Sequence, residues 1–206
     1  MSGPLILDSL QRRMRAMHSL YYQAVSSMSL EHVNHFERDG VLPIAFSLFH
    51  AANIEDASFM LITSVPPIWD DRWQARVALA VNDHGKHLTV EEMVRQRIGD
   101  YAAFREYQRV VFDRTESHLD GLDPADLGRI VVRRPFPPEI ENTYSARVAG
   151  PEGITVLDAF ECWLYQHGLR HMGEIELARA LVGLGGMTSL MAGPFEAEPR
   201  LARAGP

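Results

Sequence analysis

Apolar residues recur every three or four positions over long stretches of the chain, and this helical periodicity restricts the possible fold more than any other feature. In the first stretch they form one helix face over about six turns. That face comprises Leu7, Leu10, Met14, Met17, Tyr21, Val25 and Met28. Three further stretches are apolar or periodic in the same way. The predicted helices cover residues 6–28, 44–64, 90–119 and 155–184. This pattern predicts an all-α protein built as a four-helix bundle.

Glycine and proline mark the ends of these helices. Asp39-Gly40 and Pro66-Pro67 flank the second helix, and Gly99-Asp100 can break or kink the third. Residues 65–88 are predicted to be a long connection with at most a short helix, and residues 131–153 an irregular segment or short strand pair. We expect residues 1–186 to form one domain and residues 187–206, rich in alanine, glycine and proline, to be a loose tail.

Charge and cysteine content narrow the functional classes. The 206 residues carry a formal net charge of −7, which disfavours a general nucleic-acid binder. The single cysteine, Cys162, excludes an internal disulfide framework and a Cys-rich zinc module, and it fits a reducing cytoplasm. The first 17 residues lack the apolar run of a secretory signal, and nowhere do about 20 apolar residues follow one another. We expect a cytoplasmic protein that acts on a small molecule, without nucleic-acid or membrane partners.

The strongest local signal is a histidine pair on the last helix. His167 and His171 are four residues apart, so they lie one turn apart on one face, within an otherwise apolar stripe. Arg170 and Glu174 stand beside them. A buried imidazole needs a partner for each nitrogen, and a metal ion is one such partner. Taken alone, the pair also fits ordinary core or surface histidines.

A third histidine strengthens the metal hypothesis. His50 lies on the second helix among apolar residues that share its face. In a bundle, one residue from one helix and an i,i+4 pair from another can converge on one point. Three nitrogen ligands leave open coordination positions, as in catalytic rather than structural sites. They suit zinc or nickel, and also iron or manganese.

Both histidine segments resemble the motifs of a known family. His50-Ala51-Ala52-Asn53-Ile54-Glu55 is similar to the second-helix motif of the DinB/YfiT-like superfamily, and the segment from His167 to Ile175 resembles its last-helix motif. The resemblance implies an up-up-down-down four-helix bundle, often a homodimer, with a divalent metal at His50, His167 and His171. Met172 and Glu174 depart from the arginine and glutamine that are frequent in the family.

The resemblance also implies possible activities. Members include S-transferases and isomerases that use bacillithiol, mycothiol or glutathione. Our first hypothesis is therefore a metal-dependent enzyme that acts on a small electrophile with a low-molecular-weight thiol. A non-catalytic metal-binding or stress-response protein and a metal-dependent hydrolase are the alternatives. A di-metal carboxylate bundle is excluded, since the chain contains no Glu-x-x-His motif.

Neighbours of the histidine pair suggest roles around the metal. Trp163, one turn before His167, is predicted to form a pocket wall, and Arg170 to hold an anionic group at the pocket rim. Glu174 is predicted to accept the second N–H of His171 or to act as a general base. The alternative for Glu174 is an ordinary ion pair with Arg170.

Other reactive or aromatic residues have less specific interpretations. Cys162 is predicted to face away from the site as a packed thiol. Trp69 and Trp73 are predicted to anchor a loop or to contribute to a dimer surface. Of the remaining histidines, His18 borders the apolar stripe of the first helix. The others are expected in loops or at helix ends, namely His32, His35, His84, His87 and His118.

Overall fold

The computed structural model describes residues 3–35, 41–81 and 89–187. Four long helical segments dominate it, and they confirm the predicted all-α class. They are α1 (Gly3–Ser26), α3 (Ile44–Thr63), α6 (Tyr101–Gly121) and a last helix composed of α9 (Val156–Ala159), a π-helical segment (Phe160–Tyr165) and α10 (Gln166–Leu181). The Asp39-Gly40 break, His84, His87 and the predicted tail from residue 188 onward lie outside the described residues.

The predicted third helix is divided in two. Its first part, α5, covers Val90–Arg95, and α6 begins at Tyr101. Between them the backbone of Gly99 donates to carbonyl groups of Val77 and Ala78. A Cβ at Gly99 would lie 2.6 Å from the Ala78 carbonyl oxygen, so this close backbone approach requires glycine. Asp100 then caps α6, which makes Gly99-Asp100 a true break.

Short elements connect the long helices. They are α2 (Leu30–Asn34), α4 (Asp71–Val77), a 3₁₀ turn (Pro124–Gly128), β1 (Ile130–Arg133), α7 (Pro138–Glu141), α8 (Tyr144–Val148) and β2 (Gly153–Thr155). The two strands pair antiparallel and form the short strand pair expected near residues 131–153. Thr155 and Asp158 form a capping box at the start of the last helix.

Helix α1 runs antiparallel to α6 and parallel to the last helix. Near the start of α1, Gln11 is hydrogen-bonded to Leu119 at the end of α6. Arg13 is hydrogen-bonded to Glu161 near the start of the last helix. Near the end of α1, Val25 is hydrogen-bonded to Tyr101 at the start of α6. Ser27 is hydrogen-bonded to Arg179 near the end of the last helix.

Helix α3 runs in the direction opposite to α1. It runs antiparallel to α10, as the pairs Ser47–Glu174 and His50–His167 show. It runs parallel to α6, as the pairs Phe49–Tyr107 and Phe59–His118 show. The helix directions are therefore up, down, down, up, which corrects the up-up-down-down order implied by the resemblance. The connection between α3 and α6 is long enough to return to the starting end of the bundle, so these two helices can run parallel.

The core holds the long connection after α3 in place. Trp69 packs 4.9 Å, between ring centroids, from both Phe49 and Tyr107. The buried Asp56 carboxylate accepts hydrogen bonds from the backbone of Ile68 and Trp69 at 2.8 Å each. Trp69 therefore anchors the loop, one of its two predicted roles.

Trp73 and Cys162 also pack inward. Trp73 is partly buried against the core, so it too serves as a loop anchor. Cys162 is a buried free thiol, and its burial raises its pKa to about 11. The thiol is therefore protonated at neutral pH and unsuited to act as a nucleophile. Among the described helices, none is both long and apolar enough to span a bilayer.

Candidate metal centre

Three histidines from α3 and α10 meet at one point. The Nε2 atom of His167 lies 3.3 Å from that of His50 and 3.2 Å from that of His171. One ring nitrogen from each residue lies within 4.8 Å of the others. The predicted convergence of these three side chains is therefore present in the structure.

The spacing of the nitrogens fits a divalent metal ion. Two ligands at the zinc–nitrogen distance, separated by a tetrahedral angle, lie about 3.4 Å apart. The observed separations of 3.2 and 3.3 Å are close to this value. The cluster could thus hold a metal ion between His50, His167 and His171.

Helical spacing and ring packing position these ligands. His167 and His171 lie one turn apart on α10, which begins directly after the π-helical segment. Phe46, one turn before His50 on α3, stacks on the His50 ring at 5.1 Å between centroids. π-Helical segments are frequent at functional sites, and the one at Phe160–Tyr165 ends two residues before His167.

A carboxylate and a hydroxyl group orient His171. The Oε2 atom of Glu174 lies 2.7 Å from Nδ1 of His171, and the same oxygen accepts a hydrogen bond of 2.8 Å from Oγ of Ser47. If Nδ1 donates to the carboxylate, the lone pair of His171 is on Nε2 and faces the other two rings. The sequence analysis missed Ser47, although its position three residues before His50 places both on one face of α3.

Burial and mutual repulsion keep the centre of the cluster neutral. Burial lowers the pKa of His167 to about 3, with further lowering from the positive forms of His171 and His50. The hydrogen bond from His171 lowers the pKa of Glu174, despite its partial burial. A neutral His167 beside a charged Glu174 provides the lone pair and the orienting anion that a metal site needs.

The other predicted site residues, Trp163 and Arg170, differ in exposure. Trp163 is partly buried and packs against the core, whereas Arg170 is exposed. Within the described part of the chain, the ion-pair partner of Glu174 is His171 and not Arg170. The roles of Trp163 and Arg170 at a pocket stay predictions, as does general-base action by Glu174.

A second ionisable cluster, which the sequence analysis did not predict, lies across the bundle core. The fully buried His18 ring on α1 lies with Nε2 3.2 Å from Glu55 on α3 and Nδ1 2.7 Å from Glu116 on α6. Burial opposes protonation of His18, but the two carboxylates outweigh it and raise its pKa to about 9. Each ring nitrogen has its own carboxylate, so His18 acts as a charged link between three helices. Its position four residues after Met14, on the core-facing side, is the signal in the sequence.

Comparison with known proteins agrees with this fold. The family model of the DinB superfamily matches residues 13–175. A solved structure described as the conserved protein of locus from Enterococcus faecalis superposes with a TM-score of 0.68 at 17% sequence identity. The superposition covers 88% of this chain and 98% of that one, and at this identity it shows a shared fold. No functionally curated protein gives a significant match.

Proposed function

The chain belongs to the DinB superfamily, and from this premise we propose that it is a divalent-metal enzyme of the S-transferase or isomerase type. Its substrates are a small electrophile and a low-molecular-weight thiol. The observation that carries this proposal is the convergence of three imidazoles, in which the Nε2 atom of His167 lies 3.3 Å from that of His50 and 3.2 Å from that of His171. A metal held by three protein ligands keeps a coordination position for a reactant, which is typical of catalytic sites.

A bound divalent ion would lower the pKa of a coordinated thiol or water and so make it a nucleophile at neutral pH. His50, His167 and His171 would hold the ion. Glu174 fixes the ring orientation of His171, and Ser47 holds Glu174 in turn. This chain of contacts positions the ligand atoms before substrate arrives.

Residues near the triad serve substrate binding in this proposal. The exposed guanidinium group of Arg170 is proposed to bind an anionic group of a substrate, such as a carboxylate of the thiol. Trp163 is proposed to shield the reacting atoms from solvent. Glu174 is primarily a positioning residue, since its Oε2 atom is already hydrogen-bonded to His171 and Ser47.

The test combines metal analysis with a thiol screen. Purified protein is loaded with zinc or nickel and assayed with an aromatic halide electrophile and bacillithiol, mycothiol or glutathione in turn. We expect one metal per chain and thiol-dependent turnover, both lost in His50→Ala. His32→Ala is the matched control, because the described contacts of His32 are with Ser29, away from the triad.

Two outcomes would overturn the proposal. Metal content that is unchanged in His50→Ala would show that the triad is not the metal site. Turnover of ester or amide substrates with no thiol requirement would instead identify a metal-dependent hydrolase.

We also propose that the protein is a homodimer that acts on small molecules in the cytoplasm. This proposal rests on the family relationship, because Trp69 and Trp73 pack inward and give it no support. Analytical ultracentrifugation is expected to give twice the 23.2 kDa chain mass. A monomer mass at micromolar concentration would refute the dimer without affecting the metal site.

A further inference from the structure

A small pocket lies in the groove between α3 and α10, beside the histidine triad. Its volume is about 230 Å³, below the usual range of about 300–1,000 Å³ for sites that take drug-sized ligands. It is lined by Val41, Leu42, Ser47, Glu174, Leu177, Ala178 and Leu181. Ser47 precedes His50 by one turn, and Glu174 follows His171 by one turn. The pocket therefore begins one helical turn from the point where the imidazole nitrogens meet.

A larger depression elsewhere on the bundle does not share this relation. It lies between α1 and α6, has a volume of about 670 Å³ and is lined partly by Arg105, Glu106 and Arg109. None of its lining residues belongs to the triad or to the groups that orient it. Proximity to the triad therefore favours the smaller pocket as a substrate site.

The walls of the smaller pocket indicate what it can bind. Five of its lining residues have aliphatic side chains, and its polar side chains are Ser47 and Glu174. Among the described residues that line it, Glu174 is the charged one, so the electrostatic environment that these residues create is negative. An anionic ligand would be repelled here, whereas an aliphatic ligand would bury apolar surface.

The second carboxylate oxygen of Glu174 supplies a recognition point. Both hydrogen bonds of this side chain within the described chain, from His171 and Ser47, use Oε2. Oε1 accepts no hydrogen bond from the described part of the chain, and the side chain is 46% exposed. A ligand donor can therefore reach Oε1 without breaking the contact that orients His171.

We propose that this pocket binds the aliphatic part of a small substrate whose head group, an amine or a hydroxyl, donates a hydrogen bond to Oε1 of Glu174. This inference rests on the proposed function, because it assigns the binding place of the electrophilic substrate. A ligand held in this way has its head group within one helical turn of the metal ligands. The specificity is for cationic or neutral heads over carboxylates.

Chain-length and head-group series test the proposal directly. The full-length protein, freed of metal with a chelator so that no ion competes for the head groups, is titrated with n-alkylamines, n-alkanols and n-alkanoates of four to six carbons, and binding is followed by NMR. We expect each methylene to increase affinity about three- to fourfold until the pocket is full. We expect alkanoates to bind about tenfold or more weakly than amines of equal length, because they cannot donate to a carboxylate and are repelled by it.

Two variants and one control localise the binding. Ala178→Leu fills the pocket and is expected to abolish alkylamine binding, whereas Ala180→Leu on the exposed side of α10 is expected to leave it unchanged. Leu177→Arg places a cation on the wall at a position that is 66% exposed, so the fold tolerates it. This variant is expected to reverse the preference in favour of alkanoates.

Equal binding of amines and alkanoates, or unchanged binding in both pocket variants, would overturn the proposal. Metal content and thiol-dependent turnover are measured on zinc-loaded portions of the same protein preparations. Head-group selectivity without turnover would contradict the proposed function alone, whereas turnover without selectivity would contradict the pocket assignment alone.

Discussion

Raising the pH from about 6 to about 9.5 is expected to destabilise the fold by about 3 kcal/mol through His18 alone. The folded-state pKa of His18 is raised to about 9, whereas an unfolded histidine titrates near pH 6.5. Below pH 6.5 both states hold the proton and the stabilisation is fully present. Between pH 6.5 and about 9 the folded state holds a proton that the unfolded state has lost. The free energy of unfolding therefore falls over this range, and the contribution of His18 is lost as the pH rises through about 9.

Contacts from three helices produce this effect. Glu55 on α3 and Glu116 on α6 face the two ring nitrogens, and Phe112 on α6 stacks on the ring at 3.9 Å. Arg15 on α1 places a positive charge 3.8 Å from Glu116. The ring is fully buried, so solvent does not screen its interaction with Glu55.

Urea unfolding over this pH range, with a chelator present to remove metal, measures the effect. The single variant His18→Gln leaves Glu55 buried without its cation and is expected to lose about 3–5 kcal/mol at neutral pH. The control is therefore the double variant His18→Gln/Glu55→Gln, in which two neutral amides can pair. Subtracting its pH profile from that of the natural chain cancels other groups, such as Cys162, that titrate in the range. If the two profiles run parallel, His18 is not a buried cation and the reasoning is wrong.

Three further predictions concern the metal site and the loop anchor. Glu174→Ala is expected to weaken metal binding about 10–100-fold in a chelator competition. Glu174→Gln is expected to weaken it much less, because the amide oxygen still accepts a hydrogen bond from His171. An equal loss of metal affinity in both variants would contradict the orienting role of Glu174. Metal at a hundred times its Kd is expected to raise the free energy of unfolding by about 2.7 kcal/mol, and His167→Ala to remove that rise; a rise that persists would place the metal elsewhere. Asp56→Ala is expected to cost about 3–5 kcal/mol in urea unfolding, against about 1 kcal/mol for the exposed helix cap Asp70→Ala; similar costs would show that Asp56 is not the loop anchor.

The sequence alone determined the long helices and the chemical nature of the site, but not the short helices α2, α7 and α8. Apolar spacing such as that from Leu7 to Val25 must bury one helix face, whatever the neighbouring helix is, so the long helices are predictable. The short strand pair and the break at Gly99-Asp100 follow from local backbone chemistry in the same way. The histidine spacings on two helices, with the family resemblance, identified the residues that meet in the structure.

The tertiary structure alone decided the directions of the helices and the partners of the polar residues. An apolar face has the same pattern in either direction, so the up-down-down-up order depends on how the connections cross the bundle. The bond from Ser47 to Glu174 and the link from His18 to Glu55 join residues 127 and 37 positions apart. Periodicity shows that a side chain faces inward, but a carboxylate and an imidazole become partners only when packing brings their helices to the same depth in the core.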